Sequence, residues 1–125
     1  MKSPTKAIVL CAGFGTRMLP LSRTVPKPLM PLWKKPILEH TLAMLQRWGV
    51  QDVLINMHHG AAQLFEFVRH RRQTGLRLHL SFEPDILGTG GALTRAAWFV
   101  PRAPFWLING DIVADLSPAP MLNTF

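Results

Sequence analysis

The chain predicts an α/β fold: a Rossmann-like parallel sheet with strand order 3-2-1-4 and helices on both faces. Three observations carry that prediction. Short apolar runs alternate with helix-period segments in the order β-α-β-α-β-α-β. The first and fourth runs are almost continuously apolar, as inner strands are, whereas the third alternates and belongs outside the second. A glycine-rich turn follows the first run and Gly110-Asp111 follows the fourth. Both then open onto the crevice at the carboxyl ends of neighbouring strands, where such sheets bind ligands.

The elements follow in order. Residues 6–11 form the first buried strand, ended by the loop signal Ala12-Gly13-Phe14-Gly15-Thr16. Residues 18–35 read as a proline-rich loop without periodicity. Pro36 suits the first turn of a helix. Ile37, Leu38, Thr41, Leu42, Leu45 and Trp48 follow at helical spacing, and Gly49 stops it. Residues 52–57 form the second buried strand. After Gly60 a second helix carries Leu64, Phe65 and Val68 on one face. Residues 69–72 (Arg-His-Arg-Arg) give it a positive end that suits the helix dipole, and Gly75 breaks it. Residues 76–82 alternate strictly, a half-exposed strand near an edge. Residues 83–91 read as a loop, 92–100 as a helix ended by Pro101, and 105–109 as a fourth buried strand.

Composition narrows the function. The chain has 125 residues, 48% hydrophobic and 17% charged, a globular balance sufficient for one core. Its net charge is +7, and the excess sits in residues 1–50, which hold eight basic residues and one acid. That is a local polyanion site, and the lack of a regular Lys/Arg stripe argues against nucleic acid as partner. One cysteine, Cys11, excludes a disulfide framework and a multi-cysteine zinc site. No apolar run approaches a membrane span and no secretory signal core is present, so no membrane partner and a cytoplasmic location are expected. His58-His59 lacks partners at ligand spacing. Trp33, Trp48, Trp98 and Trp106 read as core or interface residues rather than base-stacking platforms.

Gly13-Phe14-Gly15 suits backbone contact with phosphate. It is not a dinucleotide fingerprint: Met18 takes the third glycine's place, and Asn56, Met57 and His58 stand where the acid would be. The wider pattern is more specific. Ala12-Gly13-Phe14-Gly15-Thr16-Arg17 is followed by Pro20-Leu21, then by Pro26-Lys27-Pro28. Further on come Leu87-Gly88-Thr89-Gly90-Gly91 and Leu107-Ile108-Asn109-Gly110-Asp111. Together they resemble the signature of the sugar-1-phosphate nucleotidylyltransferases, or nucleotide-sugar pyrophosphorylases. The resemblance is closest to the mannose-1-phosphate guanylyltransferase and N-acetylmuramate-1-phosphate uridylyltransferase branches.

The resemblance implies nucleotidyl transfer from an NTP, GTP or UTP, to a sugar 1-phosphate, with Mg2+ as cofactor. It gives Arg17 the β- and γ-phosphates and puts Lys27 beside the reacting phosphates as catalytic residues. Asp111 becomes the metal ligand. Ala12, Gly13, Gly15, Thr16, Glu83, Gly88, Thr89 and Asn109 become nucleotide contacts. These types suit the chemistry: two anions must meet, and an arginine fork and a compact ammonium offset their repulsion. Glu83 stands where the thymidylyl branch has a base-contacting glutamine. As an acceptor it fits the donor face of guanine or N3–H of uracil, or it lies off the base.

The resemblance also implies a longer catalytic domain, with a second metal-binding aspartate and the sugar site beyond this chain. The sheet therefore looks truncated, an N-terminal half whose fourth strand has a free apolar edge. Either a missing C-terminal half or a homo-oligomer partner is expected at that edge. The alternative to an enzyme is a non-catalytic nucleotide-binding or regulatory module.

Overall fold

A computed structural model describes residues 2–71, 75–100 and 102–124. Four parallel strands form the main sheet: β1 (Lys6–Leu10), β4 (Asp52–Met57), β5 (Arg77–Phe82) and β6 (Trp106–Asn109). Their spatial order is β5-β4-β1-β6, the 3-2-1-4 arrangement expected. Ala7 lies opposite both Val53 and Trp106, so β1 is paired along both edges.

Side-chain alternation on β1 explains the layers. Ala7 and Val9 face one core with Val53 and Ile55, covered by α1 (Ile37–Arg47) and α2 (Ala61–His70). Ile8 faces a smaller core with Leu54, Ala96 and Phe99, beside α3 (Gly88–Arg95). Helices thus cover both faces. Arg71 closes the first layer: its Nε and Nη2 each reach Glu39 at 3.0 Å, tying the end of α2 to the first turn of α1. Arg72 and Pro101, expected at helix ends, lie outside the described residues.

Several expectations need correction. Residues 18–35 are not a featureless loop. They contain 3-10 turns at Leu21–Arg23 and Lys27–Leu29, then a hairpin of β2 (Pro31–Leu32) and β3 (Lys35–Pro36). Trp33 and Lys34 form its turn at φ 48° and 65°, as a two-residue hairpin requires. Pro36 therefore belongs to a strand and precedes α1, with ψ 144°, rather than entering its first turn. Phe65 is 50% exposed; Phe67 packs on the core beside Leu64 and Val68 instead. The third helix begins at Gly88 and ends at Arg95, because the glycine segment is itself helical and residues 96–99 only form turns.

The fourth strand is shorter than expected and not buried on both faces. Trp106 and Ile108 pack on the core while Leu107 is 42% exposed, since β6 pairs only with β1 among the described residues. Trp48 and Trp106 pack at 4.8 Å between ring centroids, but Trp33 and Trp98 are largely exposed and outside the core. Beyond Asp111 the chain folds back over this layer. Thr41 Oγ1 donates to the Ile112 carbonyl at 3.2 Å and Trp48 Nε1 to that of Leu116 at 3.0 Å, before α4 (Ala119–Asn123). No described helix is long and apolar enough to cross a membrane.

Candidate active site

A cavity of about 420 Å³ opens at the carboxyl ends of β1, β4 and β6. Ala12, Gly13, Gly15, Thr16 and Arg17 form one wall, directly after β1. Gly15 holds φ +64°, which begins the 3-10 turn Thr16–Met18 and directs Arg17 outward. An alanine Cβ at Gly15 would meet Ser22 Cβ at 3.2 Å and Lys27 Cβ at 3.5 Å, so the turn also packs against the next two segments. Arg17 is exposed and makes no hydrogen bond or ion pair among the described residues.

Lys27 enters from the second wall. Pro26, just before it, packs on Gly60 so closely that a Cβ on Gly60 would sit 2.7 Å from two Pro26 ring carbons. Gly60 itself holds φ +67° at the start of α2. The Lys27 turn is therefore seated on α2 by a contact that only glycine admits. His59 Nε2 shares a 2.8 Å hydrogen bond with the Ser22 carbonyl, and His58 Nδ1 a 2.7 Å bond with that of Glu83. These histidines are loop anchors.

Gly88, Thr89 and Ile86 line the third wall. The first turn of α3 has no side-chain cap, so its N–H groups offer a positive end beside the cavity. Asn109 and Asp111 close the fourth side, after β6. Asp111 Oδ2 lies 2.8 Å from Lys27 Nζ. The residues singled out from sequence thus come from separate segments and meet around one cavity.

Glu83 is a special case. It lines the cavity but is 1% exposed. Its Oε1 accepts from Asn56 Nδ2 at 3.0 Å, and its Oε2 from the Leu87 N–H at 3.4 Å. Asn56 Oδ1 in turn accepts the Cys11 N–H at 2.6 Å. Sequence reading missed Asn56. The available signal was a lone amide in an otherwise apolar strand, one residue from its end. Cys11 also lines the cavity, and burial first, then the negative charge of Asp111, push its thiol well above the usual range. It is held neutral and is a poor nucleophile.

The donor set suits magnesium only in one way. Among the described residues no group of three His, Cys, Asp or Glu side chains could hold a metal. Asp111 alone offers a partly exposed carboxylate to the cavity. Magnesium commonly takes one or two protein carboxylates and fills its octahedron with phosphate oxygens and water. The residues present fit a metal that arrives bound to phosphate, held by Asp111.

Comparison with known proteins identifies the family. The family model described as nucleotidyl transferase matches residues 6–125. The chain is 38% identical over 121 residues to a Danio rerio protein named mannose-1-phosphate guanylyltransferase catalytic subunit beta, covering 94% of this chain and 34% of that one. It is 33% identical over 122 residues to a UTP–glucose-1-phosphate uridylyltransferase of Synechocystis sp., covering 89% and 31%. Among solved structures, HddC from Yersinia pseudotuberculosis, complexed with GMP-PN, superposes with a TM-score of 0.85 at 27% identity, covering 96% of this chain and 53% of that one. The chain spans about a third of the length of these curated relatives. By the match over nearly its whole length, this chain belongs to the nucleotidyl transferase family.

Proposed function

We propose that the chain carries the nucleotide-binding part of a sugar-1-phosphate nucleotidyltransferase. In the proposed reaction a phosphate oxygen of the sugar 1-phosphate attacks the α-phosphorus of GTP or UTP. The bond from the α-phosphorus to the bridging oxygen breaks, and pyrophosphate leaves with that electron pair. No protein nucleophile is needed, and the cysteine lining the cavity is held neutral. The work is positioning and charge stabilisation.

The observation that carries this reading is the meeting of Arg17, Lys27 and Asp111, from three separate segments, around one cavity at the strand ends. Arg17, with its guanidinium unspent, binds the β- and γ-phosphates bidentately. Lys27 balances charge on the reacting phosphates. The glycine turn at Gly13 and Gly15 and the uncapped N-terminus of α3 supply backbone N–H groups to the nucleotide. Asp111 holds Mg2+, which supplies neutralisation of phosphate charge when bound. The proposed setting is the cytoplasm.

One observation favours a second reading. Among the described residues Asp111 is the only partly exposed carboxylate lining the cavity, Glu83 being buried. A nucleotide-binding module without turnover fits a single metal ligand. Incubation with Mg2+, each NTP and a panel of sugar 1-phosphates, with pyrophosphate release as readout, separates the two. Pyrophosphate formed with one base and one sugar supports transfer. Nucleotide affinity without pyrophosphate supports the module. No affinity for any NTP overturns both.

A further inference from the structure

We propose that Asn56 and Glu83 are positioning residues that fix the distance between two walls of the cavity. A continuous hydrogen-bond chain, buried at Asn56 and Glu83, joins those walls. The Cys11 N–H donates to Asn56 Oδ1 at 2.6 Å, Asn56 Nδ2 donates to Glu83 Oε1 at 3.0 Å, and the Leu87 N–H donates to Glu83 Oε2 at 3.4 Å. Cys11 is the last residue before Ala12 and Gly13. Leu87 is the residue from which α3 starts. The chain therefore begins at the glycine turn and ends at the wall formed by Gly88 and Thr89.

The chemistry of each member fits the task. An amide accepts through its oxygen while donating through its nitrogen, which is what Asn56 does. A carboxylate is acceptor-only, and Glu83 uses one oxygen for each wall. Asn56 is 4% exposed and Glu83 1%, so the two bonds of Asn56 are sheltered from bulk water, while the bond to the exposed Leu87 lies at the cavity rim. Among the described residues no cation pairs with the Glu83 carboxylate; His58 bonds its backbone carbonyl instead. A buried, unpaired carboxylate is a costly way to hold two loops together, and apolar contact does that at lower cost. What directional bonds add is a fixed separation. Both walls present backbone N–H groups, so a ligand spanning them meets donors already in place. The inference rests on the nucleotide reading above, since it needs a ligand that touches both walls.

The test rebuilds the chain with its polarity reversed. Asn56→Asp sets two carboxylates against each other across the 3.0 Å bond. In the double variant Asn56→Asp/Glu83→Gln, the carboxylate introduced at position 56 accepts from both the Cys11 N–H and the amide introduced at position 83. The oxygen of that amide then accepts from the Leu87 N–H. GTP, UTP and inorganic tripolyphosphate are titrated by calorimetry into the full chain, with thermal unfolding recorded for each variant. The expected result is a loss of NTP affinity of about tenfold or more in Asn56→Asp, recovered in the double variant. Glu83→Gln alone sets amide N–H against the Leu87 N–H but keeps the bond to Asn56. Its affinity for NTP should fall relative to tripolyphosphate, a ratio that a general loss of stability does not move, and this variant carries the test where Asn56→Asp does not fold. NTP affinity in Asn56→Asp equal to wild type, no recovery in the double variant, or an unchanged ratio in Glu83→Gln overturns the inference. Wild-type chain that binds neither GTP nor UTP overturns the nucleotide reading beneath it, a distinct outcome.

Discussion

Lys27 Nζ lies 2.8 Å from Asp111 Oδ2, so these two charges beside the cavity neutralise each other. Both side chains are about one-third exposed, at 30% and 37%, so the pair is water-screened and its net worth is at most about 1 kcal/mol. It is a latch weak enough for a ligand to open. A phosphate bearing a divalent cation satisfies both partners at once: the ammonium turns to phosphate and the carboxylate to the metal. Metal-free phosphate satisfies only Lys27 and meets the carboxylate as a like charge. Asp111→Asn is therefore expected to bind tripolyphosphate in chelator about two- to fivefold more tightly than wild type, and to lose the gain that Mg2+ brings. Calorimetry with and without Mg2+ checks this. Weaker metal-free binding in the variant would show that the pair does not compete with phosphate.

Arg17 separates binding from folding. It is exposed and its side chain makes no hydrogen bond or ion pair among the described residues, so Arg17→Ala should change unfolding free energy by less than about 0.5 kcal/mol. The same change should weaken triphosphate binding by about tenfold or more, because a charge-assisted fork is lost. Arg17→Lys should recover only part of that, since an ammonium cannot make two parallel bonds. Urea unfolding and nucleotide titration on the same samples read the two effects. Unaltered affinity in both variants would remove Arg17 from the site.

The parallel sheet was legible because short, mainly apolar runs such as residues 6–11 and 52–57 alternate with segments of helical period. The glycine turn and Asp111 were legible because they follow apolar runs, and Arg17 and Lys27 because their motif resembles that of the family. What stayed hidden depended on contacts distant in sequence. The Asn56–Glu83 bond joins residues 27 apart, and no local pattern announces it. The helical start at Gly88 was hidden because glycine is a weak helix former. The hairpin at residues 31–36 was hidden because Trp33 and Lys34 are unusual occupants of a turn that needs positive φ. The run at 105–109 could not disclose that β6 pairs only with β1 among the described residues, since apolarity does not distinguish an inner strand from an edge.

Gly60 and Pro26 give a prediction about the lysine turn. Gly60→Ala introduces left-handed strain and a collision with the Pro26 ring at 2.7 Å, so Pro26 and Lys27 must shift together. Gly49 is the control, because its φ is +85° but a Cβ there meets nothing within 4 Å. Gly49→Ala should cost about 1 kcal/mol from strain alone. Gly60→Ala should cost more and should also weaken triphosphate binding. Denaturant unfolding gives the first comparison and calorimetry the second. Equal costs with unchanged binding would mean that the Pro26 contact does not seat Lys27.

Asp52 sets an acid limit on stability, far from the cavity. Its carboxylate accepts from Arg77 Nε and Nη2, both at 2.7 Å, and shares a 3.0 Å bond with His79 Nε2. The Arg77 bonds are the main cause holding it well below the usual carboxylate range; partial desolvation works the other way, and His79 adds to the lowering. A carboxylate whose pKa is depressed on folding stabilises the fold above its unfolded value, near 4, and loses that contribution as pH falls towards the folded value. Arg77 is largely exposed, so solvent screens part of the effect. Unfolding free energy of the wild type should therefore decline below about pH 4 more steeply than that of Asp52→Asn, which has no proton to take up there. The two curves should converge at the acid end and stand apart at neutral pH, with the wild type more stable. Parallel curves from neutral pH to the acid end would show that the Arg77 and His79 bonds to Asp52 add nothing to the folded state.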